Sequence, residues 1–191
     1  MNDKTNKRNN LIKSIVIVSL TSVFITICSW IAIPFTVSFT LQTFAIFFAL
    51  RLFGGFKGLL SIILYVLLGL IGVPVFTGFK AGLGAILGPT GGYILGFILA
   101  GVLYLVMEKL TKFTEKKVFC FIIMLIGLIL CYVFGTLWFC FVMSDKGNNY
   151  TFIEALLACV VPFIIPDIIK IVLAEIISSK IRKIIFKDEN N

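Results

Sequence analysis

Apolar runs of membrane-spanning length alternate with short polar or glycine-rich breaks along this chain. The pattern predicts helices at Leu11 to Ile33, Leu41 to Phe53, Phe56 to Gly72, Gly91 to Met107, Val118 to Met143 and Phe152 to Ile181. The second run is short, and Arg51, Gly54, Gly55 and Lys57 follow it closely, so runs two and three read either as two spans or as one broken hairpin. Charge favours two spans. With six crossings and both termini cytoplasmic, fourteen of the 17 basic residues fall in inside segments, around Lys4 to Lys13, Arg51 to Lys57, Lys109 to Lys117 and Lys180 to Lys187. Lys80 and Lys146 lie outside and Lys170 lies within the last run, an asymmetry that the positive-inside rule expects.

Composition agrees. The 191 residues are 60% hydrophobic and only 14% charged, with a mean hydropathy of +1.11, whereas soluble domains have about a quarter of their residues charged. The expectation is an all-α, multi-pass integral membrane protein, one domain over residues 1–191. A net charge of +8 is what basic loops facing an anionic inner leaflet produce, so no nucleic-acid partner is required. The basic start and the apolar run after it do not make a signal peptide, because the run extends far beyond an h-region of about 7 to 15 residues. Cys28, Cys120, Cys131, Cys140 and Cys159 all lie within spans with no C-x-x-C pair and read as core fillers, with no metal site. Histidine is absent, which removes the commonest general base and makes enzymatic chemistry a poor reading. No G-x-x-x-x-G-K-[ST] loop occurs either, so ATP hydrolysis must come from another chain.

Three segments concentrate the remaining polar chemistry. Pro34 to Thr43 is a charge-free loop ending in Gln42 at the head of a helix; it is equally an ordinary turn with Thr40 as N-cap. Gly72 to Tyr93 carries Gly72, Gly78, Gly82, Gly84, Gly88, Gly91 and Gly92, with Pro74, Pro89 and a lone Lys80. That is too flexible for a helix and too apolar for a solvated linker, and a re-entrant or capping loop is expected. Its run from Gly88 to Tyr93 opens the fourth long helix with free backbone N–H groups suited to an acceptor or an anion, unless the glycines serve only close helix packing.

The third segment is the last span, where Pro162 and Pro166 precede Asp167 and Lys170. A charge at this depth costs several kcal/mol unless paired or bound. A spacing of three puts both side chains on one face of a helix. The two either neutralise one another and hold the helix in register or form a small polar pocket. A carboxylate beside an ammonium matches a cyclic urea or amide, whose N–H groups need acceptors and whose C=O needs a donor. An anionic tail on the same ligand would find Lys80, Tyr93 and the N–H groups after Pro89. Glu175, farther along, is expected to pair near the cytoplasmic end with Lys180 or a basic loop.

Phe39-Thr-Leu-Gln-Thr43, Gly72-Val-Pro-Val-Phe76, Gly82-Leu-Gly84, Leu87-Gly-Pro-Thr-Gly-Gly-Tyr93 and Pro162-x-x-x-Pro166-Asp167-x-x-Lys170, in this order, resemble BioY, the biotin-binding S component of energy-coupling factor (ECF) transporters. The likeness covers roughly Leu11 to Lys183. It implies the six-helix S-component fold and high-affinity capture of biotin from the extracellular side without chemistry or cofactor. Carried over by position, it makes Asp167 and Lys170 the foremost ligand contacts, with Gln42, Lys80 and Tyr93 in support. Thr40, Phe76, Gly78, Gly82, Gly84, Pro89, Gly91 and Gly92 are assigned to the loops that close the pocket. Biotin's ureido ring suits Asp167 and Lys170, with the valerate toward Lys80 or Tyr93; the opposite orientation, carboxylate on Lys170, is also physically sensible. The implied partners are a transmembrane coupling subunit and two ATP-binding cassette subunits, with the S component toppling in the membrane to deliver its ligand.

S components commonly dock through Ala-x-x-x-Ala on the first helix. Here the first span offers Ser19 and Ser22-x-x-x-Thr26 instead, and Ala45-x-x-x-Ala49 lies on the second. Two alternatives accompany the biotin reading: an S component for another small vitamin, and, from a different class, a membrane enzyme or channel.

Overall fold

The computed structural model describes residues 2–34, 37–111, 117–145, 147 and 150–185, without the side chains of residues 2–4 and 185. Phe35, Thr36, Lys112, Lys116, Lys146 and Lys187 lie outside the described residues, as does the Lys4 side chain. The elements are α1 (Asn2–Trp30), β1 (Ala32–Ile33), β2 (Phe39–Thr40), α2 (Gln42–Leu70), α3 (Leu83–Ile86), α4 (Gly91–Thr111), α5 (Lys117–Asp145), α6 (Phe152–Cys159) and α7 (Ile164–Ile185), with 3-10 turns at Thr77–Phe79 and Val161–Phe163.

α2 is bent back on itself. Gly54, at φ 83° and ψ 165°, adopts a backbone that a side chain would strain, and the residues on either side of it are helical. In one straight helix the 23 positions between Gln42 and Tyr65 would span about 35 Å; instead Gln42 Nε2 donates to Tyr65 Oη at 3.1 Å. Residues 42–53 and 55–70 are therefore two antiparallel arms, packed so closely that a Cβ on Gly58 would lie 2.8 Å from Leu50 Cα. Among the described residues five helical segments are long and apolar enough to cross a membrane, α2 and the α6–α7 stretch each counted once. Resolving α2 into its arms gives six passes.

The hairpin exposes one helix end and one helix start, and both are capped by other elements. Glu108 of α4 accepts the Gly55 N–H at 2.6 Å, and Arg182 of α7 donates to the Arg51 carbonyl at 3.3 Å. An anionic group meets free N–H donors and a cationic group meets free carbonyls, as the helix dipole favours.

The first loop and the glycine-rich segment pack toward the opposite end of the bundle. The first loop contains an antiparallel ribbon absent from the sequence reading, Ala32 opposite Thr40 and Ile33 opposite Phe39. The glycine-rich segment folds back onto the second arm: Gly82 N–H donates to Gly69 O at 2.7 Å, and the Phe76 ring is buried over Gly69 and edge-on to Tyr65, 5.5 Å between centroids. α4 and α5 approach through glycines, Gly92 against Trp138, Gly96 against Cys131 and Gly135 against the Tyr93 ring, the small-residue packing that membrane helices use.

Two details of the last span and first span differ from expectation. The chain breaks at Val160 (φ −124°) and the following 3-10 turn, which holds Pro162, whereas Pro166 does not break the chain and is accommodated in the first turn of α7 where no intrahelical N–H is needed. Ser22 and Thr26 are buried in the bundle, as are Ala45 and Ala49, so neither small-residue pair is presented outward; α1 instead exposes Leu11, Ile15, Leu20, Val23 and Ile27, while Ser19 stays exposed.

Candidate ligand site

Asp167 sits in the first turn of α7 and Lys170 one turn on, both 5% exposed. Lys170 Nζ donates to Asp167 Oδ1 at 2.7 Å and to the Thr40 carbonyl at 2.6 Å, and lies 3.7 Å from the centre of the Phe39 ring. Tyr132 of α5 donates to Asp167 Oδ2 at 2.6 Å. The pair does neutralise itself, yet it is not sealed, because both residues line a cavity between the first loop, arm 42–53, α4, α5 and α7. With its open mouth included the space is about 860 Å³. Every partner of the pair is short and strong, as charge-assisted hydrogen bonds are.

Gln42, Lys80 and Tyr93 line the same cavity, with Thr40 and Phe76. They sit at different depths. Gln42 is buried and bonded to Tyr65, Tyr93 is buried with its hydroxyl 3.2 Å from Thr136 Oγ1, and Lys80 is exposed at the rim. Gly78, Gly82, Gly84, Pro89, Gly91 and Gly92 do not line it. Gly78 and Gly82 have φ of 70° and 79° and shape the folded-back segment, whereas Gly84 is open around its Cα. Gly91 and Gly92 are pressed against the Ile86 carbonyl and Trp138, so that a methyl at either would overlap a neighbour. At these two positions close packing, rather than an exposed N–H cradle, accounts for glycine. Thr40 is not an N-cap in the strict sense: Leu41 holds that position, although the Gln42 N–H does reach Thr40 Oγ1 at 3.2 Å.

Of the polar side chains that the sequence reading passed over, Tyr132 lines the cavity and Tyr65 stands behind Gln42. Tyr132 and Tyr65 lie inside apolar runs, where a buried phenol needs a partner; that requirement was the available signal. Phe39 and Phe163 stack at 6.2 Å beside Lys170.

A sequence model of the BioY family matches residues 1–187. The chain belongs to the BioY family. Among BioY relatives, biotin transporter BioY2 of Lactococcus lactis subsp. cremoris is 35% identical over 170 residues, 88% of this chain and 90% of that protein. Biotin transporter BioY of Thermotoga maritima is 37% identical over 164 residues, 84% of this chain and 90% of that one. The crystal structure of the S component for biotin from an ECF-type ABC transporter superposes with a TM-score of 0.80 at 30% identity, covering 92% of this chain and 93% of that one. The fold is thus the S-component fold of a multi-pass cell-membrane protein. BioY proteins are transport components and not enzymes, which removes the membrane-enzyme reading.

At the far end of the bundle Glu175 pairs with Arg51, Nε to Oε2 at 2.7 Å, and accepts from Ser179 at 2.6 Å. Of the two partners expected, Lys180 or a basic loop, it is not Lys180 but Arg51, from the basic segment at the hairpin bend, that is used. Arg51 precedes the hairpin bend and is drawn into the interface between arm 42–53 and α7, where a buried carboxylate needs a charge.

Proposed function

We propose that this chain is the biotin-capturing S component of an ECF transporter, binding biotin in the cavity around Asp167 and Lys170. The observation that carries the reading is that buried ion pair opening on a cavity, in a chain whose relatives are named for biotin. The ureido ring goes deep: its N–H groups meet acceptors at Asp167 and Gln42, and its oxygen meets Lys170. The ionised valerate lies toward exposed Lys80, since leaving a carboxylate near water avoids a desolvation cost of several kcal/mol that a neutral head does not incur. Aromatic and aliphatic walls take the middle of the ligand.

The cavity faces outward and the hairpin end faces the cytoplasm, together with both termini. Supporting this orientation, Lys57, Lys109, Arg182 and Lys183 gather around the hairpin end. Uptake against a gradient requires energy that this chain cannot supply. A transmembrane coupling subunit and two ATP-binding cassette subunits provide it, and the S component delivers its ligand by toppling when docked to them.

A calorimetric titration of the purified chain in detergent, after removal of co-purified ligand, tests the proposal, with riboflavin and thiamine as controls. Tight stoichiometric binding of biotin alone is expected. Binding of a control instead would assign the cavity to another vitamin, and no binding would reduce the resemblance to fold.

A further inference from the structure

The two members of the cavity pair differ in what they have left to offer a ligand. An ammonium carries three N–H groups and accepts nothing. In Lys170 two of them go to oxygen, Asp167 Oδ1 at 2.7 Å and the Thr40 carbonyl at 2.6 Å, and the Phe39 ring, its centre 3.7 Å from Nζ, covers the ammonium as well. Asp167 accepts from Lys170 at Oδ1 and from Tyr132 at Oδ2, and each carboxylate oxygen has room for a second bond. A ligand N–H therefore joins Asp167 without displacing anything, whereas a ligand oxygen reaches Lys170 only by replacing a contact the protein already makes.

Of the three contacts, the ring is the one to yield. Drawing Lys170 away from Asp167 separates a buried ion pair, and drawing it away from Thr40 strips a carbonyl of a charged donor. The carbon atoms of the ring need no hydrogen bond, so its departure leaves nothing unsatisfied. Phe39 is also placed to move. Its side chain is half-buried and lines the cavity, while its backbone is held opposite Ile33 in the ribbon, so the ring can swing without the loop.

We propose that Phe39 is a stand-in occupant of the Lys170 ammonium that biotin displaces, exchanging a cation–π contact for a charge-assisted hydrogen bond to the ligand's oxygen. The proposal rests on the biotin reading and adds to it the step by which that site opens. It holds for either ligand orientation, since the ureido oxygen and the carboxylate are both acceptors. The exchange keeps a buried charge attended throughout, by a ring face first and by oxygen afterwards. Affinity for the ligand is lowered by the strength of the contact that is given up.

The test titrates biotin into the intact purified chain and into the chain with trifluorophenylalanine in place of Phe39, each with and without Lys170→Met. Fluorine drains negative charge from the ring face, on which the cation–π contact depends, and barely alters its size. Biotin is expected to bind about two- to tenfold more tightly to the fluorinated chain, and the gain is expected to vanish in Lys170→Met, which has no charge to cover. Weaker binding on fluorination places the ring on the ammonium in the complex and overturns the proposal. Unchanged affinity overturns it too, as does an equal gain in Lys170→Met, which makes the ring an apolar wall only. In all three cases the wild type still binds biotin and the site reading stands; a wild type that binds no biotin overturns both. Should an altered chain fail to fold or to bind measurably, the lysine side-chain proton resonance that the Phe39 ring current displaces in the wild type, and that returns in Phe39→Leu, decides. Its return on saturation with biotin is expected, and its persistence overturns the proposal.

Discussion

Two buried ion pairs, each at 2.7 Å, lie toward opposite ends of the bundle, one joining α7 to arm 42–53 and the other within α7, whose Lys170 also donates to the Thr40 carbonyl of the first loop. Around Arg51 and Glu175 the partners are Ser179 and Arg182, protein groups set in helix–helix contacts. Asp167 and Lys170 are as deeply buried, but their partners are a loop carbonyl, a phenol and an aromatic face, and both line open space. Two buried charge pairs with the same separation and similar burial therefore support different roles. What separates the two pairs is not the pair itself but whether it borders open space: Asp167 and Lys170 line the cavity, and Arg51 and Glu175 do not.

The difference is sharpest when each pair is broken. Lys170→Ala strands the Asp167 carboxylate in a low-dielectric wall and removes the donor to the ureido oxygen, a loss of about 3 to 5 kcal/mol, or at least a hundredfold in biotin affinity by calorimetry. Asp167→Asn should fall in the same range. Affinity unchanged in both would sink the proposed site.

Glu175→Ala should instead be read in stability. It leaves Arg51 buried and unpaired, costing about 3 to 5 kcal/mol, while the fraction that remains folded binds biotin within a few-fold of wild type. Replacing Arg51 and Glu175 together by methionine is expected to restore the thermal midpoint in detergent, since apolar pairs of similar volume commonly match buried ion pairs. The same double replacement of Asp167 and Lys170 should give a folded chain that does not bind. If the Arg51 and Glu175 double variant folded well yet lost biotin, the two ends would be coupled and the contrast would collapse.

That the two pairs were unequally visible in the sequence has a physical cause. Asp167 and Lys170 are three positions apart on one helix, and local periodicity alone places them on one face. Arg51 and Glu175 are 124 positions apart, and nothing local predicts that a loop-flanking arginine turns inward. The passes follow from apolar run length and their number from where the basic residues fall, with Gly54 and Gly55 marking the hairpin. Positions 91 and 92 illustrate the opposite limit: glycine marks a close approach but does not say whether a ligand or Trp138 makes it. Composition also says nothing of which apolar runs hide a phenol with a task, which is why Tyr65 and Tyr132 had to await the packing.

Tyr132→Phe probes the cavity pair more gently. It removes the 2.6 Å donor to Asp167 Oδ2 and leaves the charge pair intact, so the carboxylate turns rather than disappears. About tenfold weaker biotin binding with an unchanged thermal midpoint is expected, the scale of a hydrogen bond to a charged group. A larger loss of stability than of affinity would place Tyr132 with the structural end instead.

The smallest effect belongs to Lys80, and it decides the ligand's direction. Lys80 is exposed at the rim, where an ion pair is worth about 0.2 to 1 kcal/mol and is screened by salt. With the valerate at the mouth, Lys80→Ala weakens biotin only about two- to fivefold, and the effect shrinks as salt rises. It disappears for biotin amide, whose tail is neutral. In this orientation the wild type binds the amide almost as well as the acid, because the buried charges meet the ureido head in both. With the carboxylate on Lys170, the amide would instead lose affinity as severely as Lys170→Ala does, and Lys80→Ala would have no effect on either ligand. Two ligands and one surface substitution thus separate the orientations, since only one of them places the ligand's charge where salt can reach it.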